Sequence, residues 1–327
     1  MTASFIQSVD ERTRLAGANR LEILLFSLGK DRATGREETF GVNVFKVREV
    51  MLIPEITRAP DMPPAVEGMV SLRGTMVPVI NLQKFCGVDA EEPPNILVIT
   101  EYNKHVQGFL VHSVDNIQRI AWDDVKVPPP MMAQRHGGMV TAVTELSDGR
   151  LVMIMDVEMV LAKTAGFGED PDLFASLQRL DDADYTVLFA DDSSVARDQV
   201  TRTLDAMGVH HIACQNGREA WERLDEIARH AEQKGQRITD LVQCVLTDVE
   251  MPEMDGYVLT RRIKEDPRFA DLPVLMHSSL SAEANQELGK NVGADAYVPK
   301  FEPAELADKL REVLTASTVD KNMALHA

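Results

Sequence analysis

The sequence predicts two domains of different fold class, an all-β domain followed by an α/β domain with a parallel sheet. The length of 327 residues fits about two domains of ~150 residues each. Near-continuous apolar runs in the last third of the chain are typical of strands that are buried on both faces, as in a parallel sheet. Shorter runs before residue 165 alternate in polarity and are punctuated by Gly, Pro and Asn, which is typical of a β-barrel or sandwich.

Four apolar runs define the predicted parallel sheet. They occupy residues 185–190, 241–247, 273–277 and 296–299. The polar side chains that directly follow these runs are, in order, Asp191 with Asp192, Asp248, Ser278 and Lys300. Because reactive groups gather at the carboxyl ends of parallel strands, we expect these side chains to meet in one crevice.

Three carboxylates in one crevice require a cation, because like charges raise the pKa of their neighbours. A hard divalent ion with oxygen ligands, Mg²⁺ or Mn²⁺, meets this need and keeps coordination positions open for phosphate oxygens. The chemistry that fits is phosphoryl transfer to a carboxylate. Asp248 is then the nucleophile and phosphate acceptor, while Asp191 and Asp192 hold the metal.

The remaining two polar groups fit the same chemistry. Lys300 pairs with a phosphate oxygen as a point charge, and Ser278 donates its hydroxyl once the phosphate is present. Taken singly, each of these residues also fits a solvated loop acid, a capping serine or a surface lysine. The ordered set, with each member at a strand end, favours the chemical interpretation.

Residues 184–316 resemble a response-regulator receiver domain. The resemblance lies in residues 188–193, 216–220, 247–256, 277–279, 293–295 and 297–300. It implies a flavodoxin-like fold with five parallel strands and phosphorylation of Asp248 by a histidine kinase. It also implies that the backbone carbonyl of Glu250 is a further metal ligand and that Tyr297 is an aromatic switch. Two positions depart from the family pattern, because Phe301 replaces a proline and Ser278 replaces a threonine.

The N-terminal region is predicted to be all-β. Its candidate strands are residues 21–26, 39–44, 74–80, 95–101, 107–112, 138–145 and 151–155. Such close spacing leaves little room for parallel crossovers, so we expect antiparallel pairing. The predicted boundaries are 15–165 for this domain, 166–183 for a linker and 184–316 for the receiver.

This region resembles the CheW-like adaptor domains of bacterial chemotaxis, chiefly through residues 67–82 and also 41–50 and 151–156. The resemblance implies paired small β-barrels without a catalytic site, which bind chemoreceptor signalling tips and the histidine kinase CheA. The candidate partner-binding residues are Gly68, Arg73 and Gly74. Arg73 either reaches a partner's acidic or carbonyl groups or makes an internal hydrogen bond that pins its turn. The two glycines are expected in turns with positive φ.

Composition excludes several other classes of protein. A net charge of −18 argues against nucleic acid as a partner. No run of 18 apolar residues occurs, so no direct membrane insertion is expected, and residues 1–20 lack an apolar signal core. The three cysteines, Cys86, Cys214 and Cys244, form neither a disulfide framework nor a metal motif, which favours a reducing cytoplasm.

A CheW-like domain followed by a receiver resembles the layout of CheV-type coupling proteins. It implies a cytoplasmic chemotaxis adaptor, held at membrane-bound receptor arrays through its partners and regulated by phosphorylation of Asp248. Such a protein promotes its own phosphorylation and dephosphorylation and turns over no external substrate. Two alternatives remain: a phosphate sink that drains CheA without a scaffolding role, and an adaptor whose receiver is inert.

Overall fold

A computed structural model of the chain describes residues 20–58, 60–102, 105–133, 138–165, 172–180, 184–278 and 289–324. The chain divides into two compact units, one over Arg20–Phe167 and one that includes the chain from Gly168 onward. Parts of the predicted domains and linker, namely residues 15–19, 59, 103–104, 134–137, 166–171, 181–183 and 279–288, lie outside the described residues. The two units are described separately below.

The N-terminal unit contains ten strands and three short helices among its described residues. The strands are β1 (Arg20–Lys30), β2 (Glu37–Asn43), β3 (Val47–Leu52), β4 (Val66–Leu72), β5 (Thr75–Asn81), β6 (Ile96–Tyr102), β7 (His105–Val111), β8 (Ser113–Ala121), β9 (Val140–Glu145) and β10 (Leu151–Met155). The helices are α1 (Leu82–Cys86), α2 (Pro130–Ala133) and α3 (Val157–Ala165). The strands form two five-stranded sheets, with orders β8-β1-β2-β10-β9 and β3-β6-β7-β5-β4.

Each sheet closes on itself through one short bridge. In the second sheet, Thr57, which follows edge strand β3, exchanges backbone hydrogen bonds of 2.9 and 2.8 Å with Met69 of the opposite edge strand, β4. In the first sheet, Lys126, which follows β8, makes two bonds of 2.8 Å with Val143 of β9. The predicted pair of small barrels is therefore confirmed, and closure pairs the edges that open sheets would expose.

The expectation of purely antiparallel pairing was wrong. Strand β10 pairs with β2 in parallel, and β7 pairs with β5 in parallel. The chain between β5 and β7 contains α1 and β6, and most of the domain separates β2 from β10, so both pairs have enough chain for a parallel return. Strands β3, β4 and β8 were not among the candidate strands. Strand β8 is a largely exposed edge strand whose polar residues hide the alternation.

The cores of the two barrels are mainly aliphatic, with Trp122 as the exception among the buried residues. One consists of Leu21, Ile23, Leu25, Ile120, Trp122, Val125, Ala142, Val152 and Ile154. The other consists of Val70, Val77, Val79, Leu97, Ile99 and Leu110.

The C-terminal unit contains the predicted five-stranded parallel sheet. Its strands are β11 (Thr186–Ala190), β12 (His210–Cys214), β13 (Cys244–Thr247), β14 (Val274–Ser278) and β15 (Ala296–Pro299), in the order β12-β11-β13-β14-β15. Every neighbouring pair is parallel. The helices that lie wholly among the described residues are α4 (Asp172–Ala175), α5 (Ser194–Met207), α6 (Gly217–Gln233), α7 (Gly256–Glu265) and α8 (Pro303–Ala324).

Alternate residues of the central strands enter two cores, which explains their near-continuous apolar runs. Leu188 and Val245 lie in the core under α6 and α7. Phe189 and Leu246 lie in the core on the other face, with α5 and α8. Because β11 and β13 are covered on both sides, their carboxyl ends are held rigidly where the polar residues follow.

Side-chain caps fix the start of three receiver helices, α5, α6 and α7. Ser193, Asn216 and Asp255 accept hydrogen bonds from the first turns of α5, α6 and α7, respectively. Such caps satisfy backbone N–H groups that would otherwise lack partners. They also hold the loops that contain the polar cluster.

Candidate functional site

The polar residues predicted from the four apolar runs meet at one edge of the parallel sheet. Backbone hydrogen bonds hold them there: Asp248 N–H donates to the oxygen of Ala190 at 2.8 Å, and Lys300 N–H donates to the oxygen of Ser278 at 3.1 Å. The ends of four neighbouring strands are thus in register where their functional side chains begin. The residues predicted from the strand ends therefore lie together at this edge, and their chemical roles stay predictions.

Three carboxylates form the acidic part of this crevice. Single oxygen atoms of Asp191, Asp192 and Asp248 all lie within 4.8 Å of one another. Asp191 and Asp248 are buried, at 1% and 5% exposure, while Asp192 is half-buried. Burial of like charges at this separation is strongly unfavourable unless positive charge compensates it.

Lys300 supplies that positive charge. Its ammonium nitrogen lies 2.8 Å from Oδ2 of Asp191 and 3.0 Å from Oδ2 of Asp248, and its side chain is 1% exposed. Lys300 therefore binds the two carboxylates in this structure, and its pairing with a phosphate oxygen stays a prediction. A charged group so fully buried is stable only because both partners are charged and close.

The donor set suits a hard divalent cation. Oδ1 of Asp191 accepts a hydrogen bond from Ser193 N–H at 3.0 Å, and Oδ1 of Asp248 accepts one from Val249 N–H at 2.7 Å. These bonds orient both carboxylates toward the ammonium group of Lys300, at a position where a cation is already needed. All-oxygen ligands of this charge match Mg²⁺ or Mn²⁺. Glu250 follows two residues after Asp248 and is half-buried, and the role of its carbonyl stays a prediction.

Tyr297 and Ser278 lie beside the acidic cluster. Their side chains share a hydrogen bond, and burial, followed by the charge of Asp248, raises the pKa of the Tyr297 hydroxyl. The Tyr297 ring is half-buried against a cluster that includes Tyr257 and Met276. The proposed switch residue is therefore linked directly to the residue that is expected to bind the phosphate.

Gly256 brings the start of α7 against the backbone of Asp248. A Cβ atom on Gly256 would lie 2.0 Å from the backbone oxygen of Asp248, closer than any side chain allows. The N–H of Gly256 donates to the oxygen of Val249 at 2.9 Å. Only glycine lets the helix approach this closely, so Gly256 helps to define the position of Asp248.

Sequence reasoning missed one residue of this site, Arg197. Its Nη1 donates to the backbone oxygens of Asp191 at 2.8 Å and Asp192 at 2.9 Å. Arg197 lies in the first turn of α5, and only the fold shows that its side chain turns back toward the acid pair. An arginine five residues after paired acids was the available signal.

The candidate partner-binding residues of the N-terminal unit have structural roles. Arg73 and Gly74 form the two-residue turn between β4 and β5, with φ of 50° and 85°, as in a type I′ hairpin. The Arg73 side chain is 76% exposed and lies 3.1 Å from Glu49. The internal-contact alternative for Arg73 is thus present, and its partner-binding role stays a prediction.

Gly68 is not a turn glycine, which corrects the expectation from the sequence. It lies within β4, with a φ of 147°. A Cβ atom there would lie 2.3 Å from the backbone oxygen of Thr57. Gly68 therefore permits the close approach of backbone at the bridge that closes the second barrel.

Comparison with known proteins matches both units. Residues 22–165 match the CheW-like domain family, and residues 187–311 match the response regulator receiver domain family. The chemotaxis protein CheV3 of Helicobacter pylori is 29% identical over 315 residues, which cover 93% of this chain and 96% of that protein. The chemotaxis protein CheY1 of the same species is 32% identical over 130 residues, covering 39% of this chain and 95% of that protein. The chemotaxis protein CheW of Klebsiella aerogenes is 26% identical over 144 residues, covering 43% of this chain and 81% of that protein.

The chain belongs to the CheV-type proteins, which join a CheW-like domain to a receiver domain.

One of the two departures from the receiver pattern in this CheV-type chain, Phe301, is explained by its backbone conformation. Phe301, where the family pattern has proline, has a φ of 62° and is 9% exposed. Proline is restricted to a φ near −65°, so it does not fit this backbone. The conformation is unfavourable for a bulky residue by about 1–2 kcal/mol, and burial of the ring offsets that strain.

No helix among the described residues of this CheV-type chain is long and apolar enough to cross a membrane.

Proposed function

We propose that this protein is a chemotaxis adaptor that couples chemoreceptors to the histidine kinase CheA, and that phosphorylation of Asp248 adjusts this coupling. One observation carries the proposal: Asp191, Asp192, Asp248 and Lys300 form a buried charge cluster in a chain whose other unit is CheW-like. The names of the related chemotaxis proteins support the same biological role.

In the proposed reaction, a carboxylate oxygen of Asp248 attacks the phosphorus of a phosphohistidine on CheA. The new O–P bond forms as the P–N bond breaks, and the departing histidine nitrogen keeps the electron pair and takes up a proton from water. The carboxylates of Asp191, Asp192 and Asp248 with the Glu250 carbonyl would hold Mg²⁺ or Mn²⁺, which when bound would neutralise charge on the transferred group.

The other residues of the site bind the product. Lys300 leaves its carboxylate partners to pair with a phosphate oxygen, and Ser278 donates its hydroxyl to another. The receiver thereby promotes its own phosphorylation and dephosphorylation. It turns over no external substrate, and the adaptor function belongs to residues 15–165.

The partner surface is proposed around the β4–β5 turn. Arg73 is exposed and pairs with Glu49, which is itself 35% exposed, so an acidic or carbonyl group of CheA or of a receptor tip can compete for the guanidinium. Gly68 and Gly74 shape this region of the barrel. The protein is cytoplasmic in this proposal and reaches membrane-bound arrays through its partners, with residues 166–183 as the linker to the receiver at 184–316.

A binding experiment with the full chain tests the proposal. CheA and a receptor signalling fragment are captured with the wild-type protein, with and without Mg²⁺ and beryllofluoride, and the Asp248→Asn variant is run in parallel. We expect capture by the unmodified protein, a changed affinity with beryllofluoride, and no effect of beryllofluoride on Asp248→Asn. The Asp198→Asn variant alters an exposed acid of α5 and serves as the matched control.

The outcome separates the alternatives. Phosphotransfer from CheA without capture of either partner would support the phosphate sink. Capture that no phosphate mimic alters, together with failure of phosphotransfer, would support the inert receiver.

A further inference from the structure

One guanidinium nitrogen of Arg197 binds the backbone of both Asp191 and Asp192, the acid pair at the end of β11. Nη1 of Arg197 donates to two successive backbone oxygens, those of Asp191 at 2.8 Å and Asp192 at 2.9 Å. Both distances are in the range of strong hydrogen bonds to a charged donor. The arginine side chain is half-buried, which limits competition from water.

The backbone around the pair forms a closed set of contacts. Ser193 N–H donates to Oδ1 of Asp191 at 3.0 Å, and Arg197 N–H donates to the oxygen of Ser193 at 3.0 Å. Asp191 N–H also donates to the oxygen of Cys214 at 3.2 Å. The Arg197 side chain completes this set from the helix side and fixes the peptide planes on either side of Asp192.

We infer that Arg197 is a positioning residue that holds the carboxylates of Asp191 and Asp192 in the arrangement a divalent cation requires. The inference rests on the proposed function, because it assigns Arg197 to the same metal site. Its carbonyl contacts leave the carboxylate oxygens available as ligands. Some residues orient metal ligands without binding the metal themselves. Their removal commonly changes metal affinity by roughly 10–100-fold.

Arg197 and Lys300 therefore have different roles although both are cations near the acids. Lys300 binds carboxylate oxygens directly, at 2.8 and 3.0 Å, so a metal or phosphate must alter its contacts. Arg197 binds backbone oxygens, so its contacts are compatible with a metal in the site. The charge of Arg197 is permanent, and its planar guanidinium offers several donors in a fixed geometry. These properties suit a residue that keeps the same backbone contacts throughout.

The inference is tested by Mn²⁺ binding to the full chain, followed by the electron paramagnetic resonance signal of free Mn²⁺. Wild type is compared with Arg197→Met, Arg197→Lys and Asp192→Ala. The control is Arg223→Met, which makes the same substitution at an exposed ion pair with Glu226 on α6. Thermal unfolding without metal reports separately on folding.

We expect the Mn²⁺ dissociation constant to rise roughly 10–100-fold in Arg197→Met. The Arg197→Lys variant keeps the charge and donors, so its Mn²⁺ dissociation constant should lie between those of wild type and Arg197→Met. If Arg197→Met unfolds, the comparison of Arg197→Lys with wild type tests the inference. Arg223→Met should match wild type. A dissociation constant within about twofold of wild type in a folded Arg197→Met protein overturns the inference but leaves the proposed function intact, since twofold is below ~0.5 kcal/mol. Absence of Mn²⁺ binding by wild type would overturn the metal site and the inference together.

Discussion

The ammonium group of Lys300 lies 2.8 Å from Oδ2 of Asp191, and the two side chains are only 1% and 2% exposed. The same nitrogen lies 3.0 Å from Asp248. This buried lysine, shared by two carboxylates, supplies the positive charge that compensates them. The stability of the receiver and its chemistry therefore depend on the same charges.

Replacing Lys300 by methionine should destabilise the protein and make its stability depend on Mg²⁺. Loss of one partner of a buried ion pair lowers the free energy of unfolding by about 3–5 kcal/mol, because the other charges stay buried. Saturating Mg²⁺ should restore part of the loss by compensating the same carboxylates. Chemical unfolding with and without Mg²⁺ measures both effects.

The matched control is Lys309→Met, which removes an exposed pair with Glu312. It should change stability by less than ~1 kcal/mol and show no added response to Mg²⁺. Equal losses in the two variants would contradict the interpretation of Lys300.

Replacing Gly256 by alanine should impair phosphorylation of Asp248. The new methyl group would lie 2.0 Å from the Asp248 backbone oxygen, so the acceptor loop must move. Misplacing a reacting group in this way lowers the reaction rate by roughly 100-fold. Stopped-flow phosphotransfer from CheA measures the rate. Gly235→Ala is the control: its Cβ would meet no atom within 4 Å, and its φ of 67° is unfavourable for alanine, so it reports the effect of a strained glycine substitution away from Asp248. Normal phosphotransfer in a folded Gly256→Ala protein would show that the close approach is dispensable.

Asp255 should make the receiver less stable as the pH rises from about 4 to about 6. Burial raises its pKa to about 6 from an ordinary value of 3.8, so the folded state binds the proton more tightly than the unfolded state. Asp255→Asn keeps an acceptor for Val258 N–H and removes the charge. Its stability relative to wild type should therefore grow over this pH range, by on the order of 1–3 kcal/mol.

Urea unfolding at several pH values measures this difference, and Asp266→Asn supplies a control of opposite sign. Hydrogen bonding from Arg268 lowers the pKa of Asp266, so that carboxylate stabilises the folded state more as the pH rises above its lowered pKa. A stability difference between Asp255→Asn and wild type that does not vary with pH would contradict the prediction.

Tyr297 should couple phosphorylation to adaptor binding. The phosphate on Asp248 draws in Ser278, which shares a hydrogen bond with Tyr297, so the ring must change its contacts. We expect beryllofluoride to change affinity for the receptor–kinase complex by about 5–150-fold, corresponding to ~1–3 kcal/mol of coupling. Tyr297→Ala should reduce this response while leaving phosphorylation of Asp248 largely intact.

Tyr297→Phe separates the two properties of the side chain. If the hydrogen bond to Ser278 is responsible for the coupling, the beryllofluoride response of Tyr297→Phe will be as small as that of Tyr297→Ala. If ring packing is responsible, the response of Tyr297→Phe will be close to that of wild type. Full beryllofluoride response in both variants would remove Tyr297 from the mechanism.

The sequence by itself determined the fold class and the main residues of the acidic site. Runs buried on both faces need apolar residues at nearly every position, and each run ends where the next residue can be polar. Asp191, Asp248, Ser278 and Lys300 could therefore be placed at one sheet edge from order alone, because all parallel strands end on the same side.

Tertiary structure decided the contacts between residues that are distant in sequence or that depend on side-chain direction. The bridge between Thr57 and Met69 closes a barrel and explains Gly68, but no local pattern encodes a close approach of two backbone segments. The turn of Arg197 back to the acid pair depends on the angle between α5 and β11. Lys300 binds carboxylates rather than solvent because the folded core excludes the water that would otherwise compensate their charge.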